Sequence, residues 1–179
     1  MPGACRPAHT AAMTSQLTTL YLVRHAKAAD RFEFSGRDRD RPLTDKGRDQ
    51  AAWLAGALAD QDLAVVAASP WLRCQQTADA VAEAAGLEVA VDPRLGYDQP
   101  DVAGWVADTL AAAVDGGGRV AVAVGHGDLL PDFLHGAGLL HGLPGFRTGS
   151  AFKVELDRGR LAEATYLDRA DLRELAEQR

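Results

Sequence analysis

The chain has 179 residues, 47% hydrophobic and 25% charged, with a formal net charge of −6. Those proportions belong to an ordinary folded chain of one core and exclude disorder, collagen and coiled coil. The negative balance also excludes broad electrostatic binding to nucleic acid or anionic membranes, so an anionic ligand would need a locally basic pocket.

The opening stretch, 1–16, carries small residues with Arg6 and His9 but no continuous apolar run. A flexible tail is expected there rather than a signal peptide or membrane anchor, and Met13 offers a second start. Cys5 and Cys74 are the only cysteines and make no CxxC spacing. They support neither a disulfide framework nor a zinc ribbon and fit a reducing cytoplasm.

From Thr18 to Val23 the chain is short, β-branched and apolar on both faces, which predicts a strand inside a sheet with Arg24 and His25 at its carboxyl end. Apolar positions Ala51, Ala52, Leu54, Ala55 and Leu58 recur at helical spacing, predicting a helix over 44–59 with Thr44 as N-cap. Leu63 to Ala68 reads as a second buried strand, and Ser69-Pro70 opens a helix to about Ala85, ended by Gly86. Leu87 to Val91 alternates as a short strand should, and 92–100 reads as loop. A helix over 101–114, a Gly116-Gly117-Gly118 break and an apolar strand over 120–124 lead into Gly125-His126-Gly127. A Gly-rich connection follows 129–139. Beyond it, a hairpin around Asp157-Arg158-Gly159 and a helix over 168–178 close the chain. Alternating strands and helices predict a three-layer α/β/α sandwich on a mainly parallel sheet, with no repeat or linker dividing 17–179. Such sheets place ligands outside the carboxyl ends of their strands, where both His25 and His126 fall.

Three segments carry residues suited to phosphate. Arg24-His25 joins a permanently charged planar fork to an imidazole that can act as nucleophile or proton carrier near neutral pH. Arg73, in Ser69-Pro70-Trp71-Leu72-Arg73, falls in the first turn of a helix, where N–H groups and the dipole favour an anion. His126 stands between glycines, where backbone approaches a ligand closely, and in protonated form would neutralise charge on a transferring phosphoryl group. Each segment taken alone has a plainer reading: a chance pair, a surface arginine, a structural histidine. The basic run over 24–48 is interleaved with Asp30, Glu33, Asp38, Asp40 and Asp45, and outside Arg24 and Arg41 it reads as a solvated, charge-mixed loop.

Taken together, these segments resemble the histidine phosphatase superfamily, whose Arg-His-Gly signature stands here as Arg24-His25-Ala26. In size, and in Arg41-Pro42-Leu43-Thr44, Ser69-Pro70-x-x-Arg73 and Gly125-His126, the chain is similar to the small bacterial phosphohistidine phosphatases of SixA type, over about 20–166. The resemblance implies a phosphoglycerate mutase-like fold and a phosphomonoesterase with His25 as nucleophile. It also implies a phosphate pocket of Arg24, Arg73 and His126 with Arg41 as a further contact, and neither metal nor other cofactor. The substrate implied is a phosphorylated protein or a small phosphomonoester, with no nucleic acid or membrane partner.

The general acid has no clear counterpart. Larger members of the family supply a carboxylate from the segment that here reads Asp92 to Asp101, which makes Asp98 the candidate. Asp101 serves equally as a helix cap, and Asp128 lies beside His126. A phosphohistidine substrate needs such an acid less, since imidazole leaves more easily than an alkoxide. The alternatives are a phosphoglycerate mutase-like phosphotransferase, against which the short length counts, and a non-catalytic phosphate-binding module, against which both histidines count. His135 and His141 match no standard ligand pair. Trp53, Trp71, Trp105, Phe133 and Phe152 read as core or pocket-wall aromatics, and Cys74 as a small buried residue.

Overall fold

A computed structural model describes residues 17–112, 119–142 and 145–178. The expected tail over 1–16 and the glycine break over 116–118 lie outside the described residues. Six strands, β1 (Thr19–Arg24), β2 (Leu63–Ala68), β3 (Val89–Val91), β4 (Val120–Gly125), β5 (Ala151–Asp157) and β6 (Arg160–Leu167), form one sheet in the order β3-β2-β4-β1-β5-β6. The first four run parallel to one another, while β5 pairs antiparallel with both β1 and β6. The sheet is therefore mainly parallel, as the strand-helix alternation predicts.

Apolar side chains leave both faces of this sheet. On one, Tyr21 and Val23 of β1, Val66 and Ala68 of β2, and Val120, Val122 and Val124 of β4 pack against α1 (Asp45–Leu58), α2 (Leu72–Ala85) and α5 (Arg169–Glu177). On the other, Leu20, Leu22, Ala67, Ala121 and Ala123 meet α3 (Val102–Ala111) and α4 (Leu129–Gly136) through Val102, Trp105, Val106, Leu130 and Leu134. Every residue of β4 is buried, which is why that strand is a continuous apolar run rather than an alternating one. At roughly 1.5 to 3 kcal/mol per fully buried aliphatic side chain, the two faces supply most of the force that holds the layers together.

The departures from expectation have local causes. α2 begins at Leu72 after Trp71, not at Ser69-Pro70, because the Ser69 hydroxyl is bonded to His126 and caps no helix. β3 is shorter than 87–91 because Leu87 is spent ending α2: its N–H donates to Ala82 O at 2.9 Å, with Gly86 left-handed at φ 67°. Thr44 caps α1 by accepting from Gly47 N at 3.1 Å, and Asp101 caps α3 by accepting from Gly104 N at 2.8 Å. The loop over 92–100 contains a 3-10 turn at Pro93–Leu95. The β5-β6 turn takes Arg158 and Gly159 to φ 49° and 74°, the mirror-image geometry that suits a two-residue hairpin.

Candidate functional site

Because β2, β4 and β1 are adjacent and parallel, their carboxyl ends lie side by side, with Val124 of β4 paired to Val23 on one flank and to Ala68 on the other. The residues that follow, His25, Ser69 and His126, are thereby brought to one place. His25 and His126 have ring centroids 5.7 Å apart at an interplanar angle of 70°. Backbone bonds fix the nucleophile candidate from both sides. His25 N–H donates to Gly125 O at 3.0 Å, and Gly149 N–H donates to His25 O at 3.1 Å. Ala26 N–H donates to Thr77 Oγ1 at 3.0 Å, and Thr77 Oγ1 in turn donates to Arg73 O at 2.7 Å, so one hydroxyl ties the signature to α2. Among the described residues only Arg158 is a non-glycine with positive φ, so Ala26 sits where the family has glycine without strain.

His25 Nδ1 lies 2.8 Å from Ala26 O, and since a carbonyl only accepts, Nδ1 carries the proton and Nε2 the lone pair. Nε2 accepts from Arg73 Nε at 3.2 Å. Burial lowers the pKa of His25 from 6.5 to about 3, opposed by the Ala26 hydrogen bond and reinforced by the positive charge of Arg73. The ring is thus neutral near pH 7, the form a nucleophile requires.

His126 is fully buried. Its Nε2 lies 2.9 Å from Ser69 Oγ, which also accepts from Trp71 N–H at 3.5 Å. Donation of the serine proton to Nε2 places the ring proton on Nδ1, a buried atom with no partner among the described residues. Tyr97 lies over the ring with centroids 4.1 Å apart, and Trp71 meets it edge-on at 5.3 Å. Burial first, then the charge of Arg73, lowers the pKa of His126 to about 4. His126 is thus a neutral ring near pH 7.

The arginines are held differently. Arg73 is 3% exposed; with Nε on His25, its other nitrogens reach Asp38 O at 2.8 Å and Asp38 Oδ2 at 3.2 Å. Arg24 donates from one terminal nitrogen to Phe146 O, while its buried Nε has no partner among the described residues. A Cβ on Gly127 would come within 2.6 Å of Arg24 Nε and would push that side chain aside. Arg41 bonds Asp38 Oδ1 at 2.9 to 3.0 Å and Ala29 O at 2.8 Å. Asp38, which belongs to the loop dismissed from sequence as solvated, is thus the carboxylate that aims two site arginines. Burial would raise its pKa, but the bond from Arg41 and the charges of Arg73 and Arg41 outweigh this and lower it.

A cavity of about 670 Å³ opens over these groups, lined by Arg24, Lys27, Arg31, Arg39, Arg41 and Arg73 against Asp38, Asp98 and Asp128, with His25, Trp71 and Tyr97. Asp98 reaches the cavity but is half-exposed and paired with Arg39 at 3.0 Å, and the Arg39 guanidinium sits 5.3 Å from the Trp71 ring centroid. Asp128 accepts from Tyr97 O–H at 2.9 Å and from Leu129 N–H. Neither carboxylate is hydrogen-bonded to either histidine. Sequence reading did not single out Asp38, Ser69, Thr77 or Tyr97. Thr77 had a signal, standing one helical turn after Arg73, whereas Asp38 and Tyr97 lie in loops that carry no periodicity. Cys74 is buried beneath the site, and burial pushes its thiol up to about 12. No group of three or more metal-ligating side chains occurs among the described residues, and no helix there is long and apolar enough to cross a membrane.

Fold and site together define an α/β sandwich that gathers two histidines and two arginines at adjacent strand ends. Residues 20–96 match the family model of the histidine phosphatase superfamily (branch 1). It is similar to the protein histidine phosphatase SixA solved in complex with tungstate, at 27% identity and a TM-score of 0.68, over 86% of this chain and 99% of that one. It also shares its fold with phosphoglycerate mutase from Bacillus anthracis, at 18% identity and a TM-score of 0.70, over 92% of this chain and 99% of that one. An 8-oxo-(d)GTP phosphatase from Mycolicibacterium smegmatis is 29% identical over 162 residues, covering 86% of this chain. The chain spans about half of that relative's length, 49%.

Proposed function

We propose that the protein is a phosphatase that works through a phosphohistidine on His25, acting on phosphohistidine or on a small phosphomonoester. The observation that carries this reading is the state of His25: neutral, its proton committed to Ala26 O, and its Nε2 lone pair turned toward Arg73 at the floor of a basic cavity. The superfamily match over 20–96 and likeness to SixA support it.

In the proposed cycle Arg24, Arg73 and His126 Nδ1–H hold the three non-bridging phosphoryl oxygens, with Arg41 held close by through Asp38. The Nε2 lone pair attacks phosphorus, the bond to the leaving group breaks, and Arg73 Nε–H moves its donation from Nε2 to a phosphoryl oxygen. The charge of the in-flight phosphoryl group is met by fixed donors that need little rearrangement. Water then attacks phosphorus, the P–N bond breaks, and phosphate and neutral His25 are regenerated. A leaving alkoxide takes its proton from the acid form of Asp98 or Asp128, the two cavity-wall groups without an arginine of the floor as partner, and the carboxylate left behind regains a proton from the attacking water. A leaving imidazole needs neither, and since neither carboxylate is hydrogen-bonded to a histidine, phosphohistidine is the favoured substrate. The cytoplasm, suggested by cysteine usage, is the compartment we propose.

The test is release of phosphate from p-nitrophenyl phosphate and from a phosphohistidine protein in the presence of a chelator, comparing wild type with His25→Ala. Loss of both activities in a folded variant is expected. Retained activity in His25→Ala contradicts the reading, and the preferred substrate separates its two branches.

A further inference from the structure

We infer that Lys27 and Arg31 form a second anion-binding position on the lip of this cavity, so that the natural substrate carries another anionic group beside the transferred phosphoryl. The inference rests on the phosphatase reading and names the substrate class of that site. The cavity, at about 670 Å³, holds a ligand much larger than phosphate alone. Its other cations are already committed. Arg73 and Arg41 share Asp38, Arg39 is paired with Asp98, and Arg24 donates to Phe146 O. Lys27 has no carboxylate within ion-pair distance among the described residues, and Arg31 only touches Asp38 at 4.0 Å, where Arg41 is already closer.

Lys27 is also placed on fixed backbone, which distinguishes it from an ordinary surface lysine. Its N–H donates to Oε1 of the buried Gln50 at 2.9 Å, and its carbonyl accepts from Thr44 N at 2.9 Å and from Thr44 Oγ1 at 3.0 Å. α1 is so close that a Cβ on Gly47 would lie 2.0 Å from Lys27 O. Ala28 bridges to Leu43 in the next residue, locking the strip that carries the lysine. A cation without a carboxylate partner, carried on fixed backbone at the wall of an anion-binding cavity, is placed to receive a charged group, with only its side chain left to order. The group it meets is a second phosphate or a carboxylate, carried by a small molecule or by an acidic side chain beside the phosphorylated residue of a protein.

The experiment compares a short alkanediol bisphosphate with the alkyl monophosphate of equal length, on wild type, Lys27→Met, Arg31→Met and, as a control, Lys46→Met, an exposed lysine outside the cavity. We expect wild type to favour the bisphosphate by about tenfold in KM, a charge-assisted preference that fades as salt is added. Lys27→Met should bring that ratio close to unity, Arg31→Met should reduce it, and Lys46→Met should keep it. Phosphohistidine peptides with Asp or with Ala next to the modified residue distinguish a protein source of the second charge from a small-molecule one. Equal KM for the pair in active wild type, or a ratio that survives Lys27→Met, overturns the inference. Binding of the same pair to His25→Ala, measured by calorimetry, reads the preference without turnover. A chain that binds selectively yet releases no phosphate therefore fails the phosphatase reading while keeping the second site, and one that binds both equally loses the second site.

Discussion

The floor and the lip of the cavity are built by different means. The floor, His25, His126, Ser69 and Arg73, is buried and hangs from the ends of three parallel strands and the first turn of α2, so its geometry follows from sheet register. The lip, with Arg31, Arg39, Asp98 and Tyr97, is exposed or half-exposed and is held by side-chain ion pairs and ring contacts. A sheet places atoms to within tenths of an ångström because moving one strand breaks many bonds, whereas a surface ion pair contributes about 0 to 1 kcal/mol and yields easily. In the proposed reading the chemistry belongs to the floor, and substrate choice to the lip.

Changes in the floor should then act on turnover and changes in the lip on KM. His25→Ala removes the proposed nucleophile and should lower kcat by about 10,000-fold or more, read as phosphate release from a variant whose circular dichroism matches wild type. Gly127→Ala pushes on Arg24 and should cost about a hundredfold in kcat/KM, the scale of an ångström's misplacement. Asp38→Asn keeps the shape of the clamp but removes the charge facing Arg41 and Arg73, and a loss of about tenfold is expected. At the other end, Arg39→Ala should change kcat by less than about threefold and stability by under about 1 kcal/mol, since its partner Asp98 is half-exposed. A larger fall in kcat for Arg39→Ala than for Asp38→Asn would erase the distinction between floor and lip.

Acid separates the two regions as well. His25 and His126 have folded-state pKa values of about 3 and about 4, below their ordinary 6.5. Between those limits the unfolded chain binds more protons than the folded one, so stability is fully present above about 6.5 and declines as pH falls toward 4 and 3. Replacing both rings with Gln should flatten that decline in denaturant titrations across pH 4 to 6.5. An unchanged slope would show that the rings are not buried and neutral.

Most of the floor was legible in the sequence and, Asp98 apart, the lip was not, for physical reasons. Buried parallel strands must be continuous apolar runs, so Thr18 to Val23, Leu63 to Ala68 and Val120 to Val124 announced themselves, and with them the positions of His25 and His126. Arg73 followed from the helix opening after β2. Asp38 looked like any carboxylate in a mixed-charge loop, because nothing in spacing records which arginine a loop will fold against. Ser69, read as part of a helix opening, turned out to serve His126 instead.

The most direct measurement is a rapid acid-free quench of wild type during turnover of a phosphate-labelled substrate, followed by peptide mapping of the labelled chain. A single acid-labile, alkali-stable phosphoryl group on the peptide containing His25, absent from His25→Ala, is the predicted result. Steady release of phosphate with no labelled chain at any time, or a label that persists in His25→Ala, would contradict a mechanism through phosphohistidine at position 25.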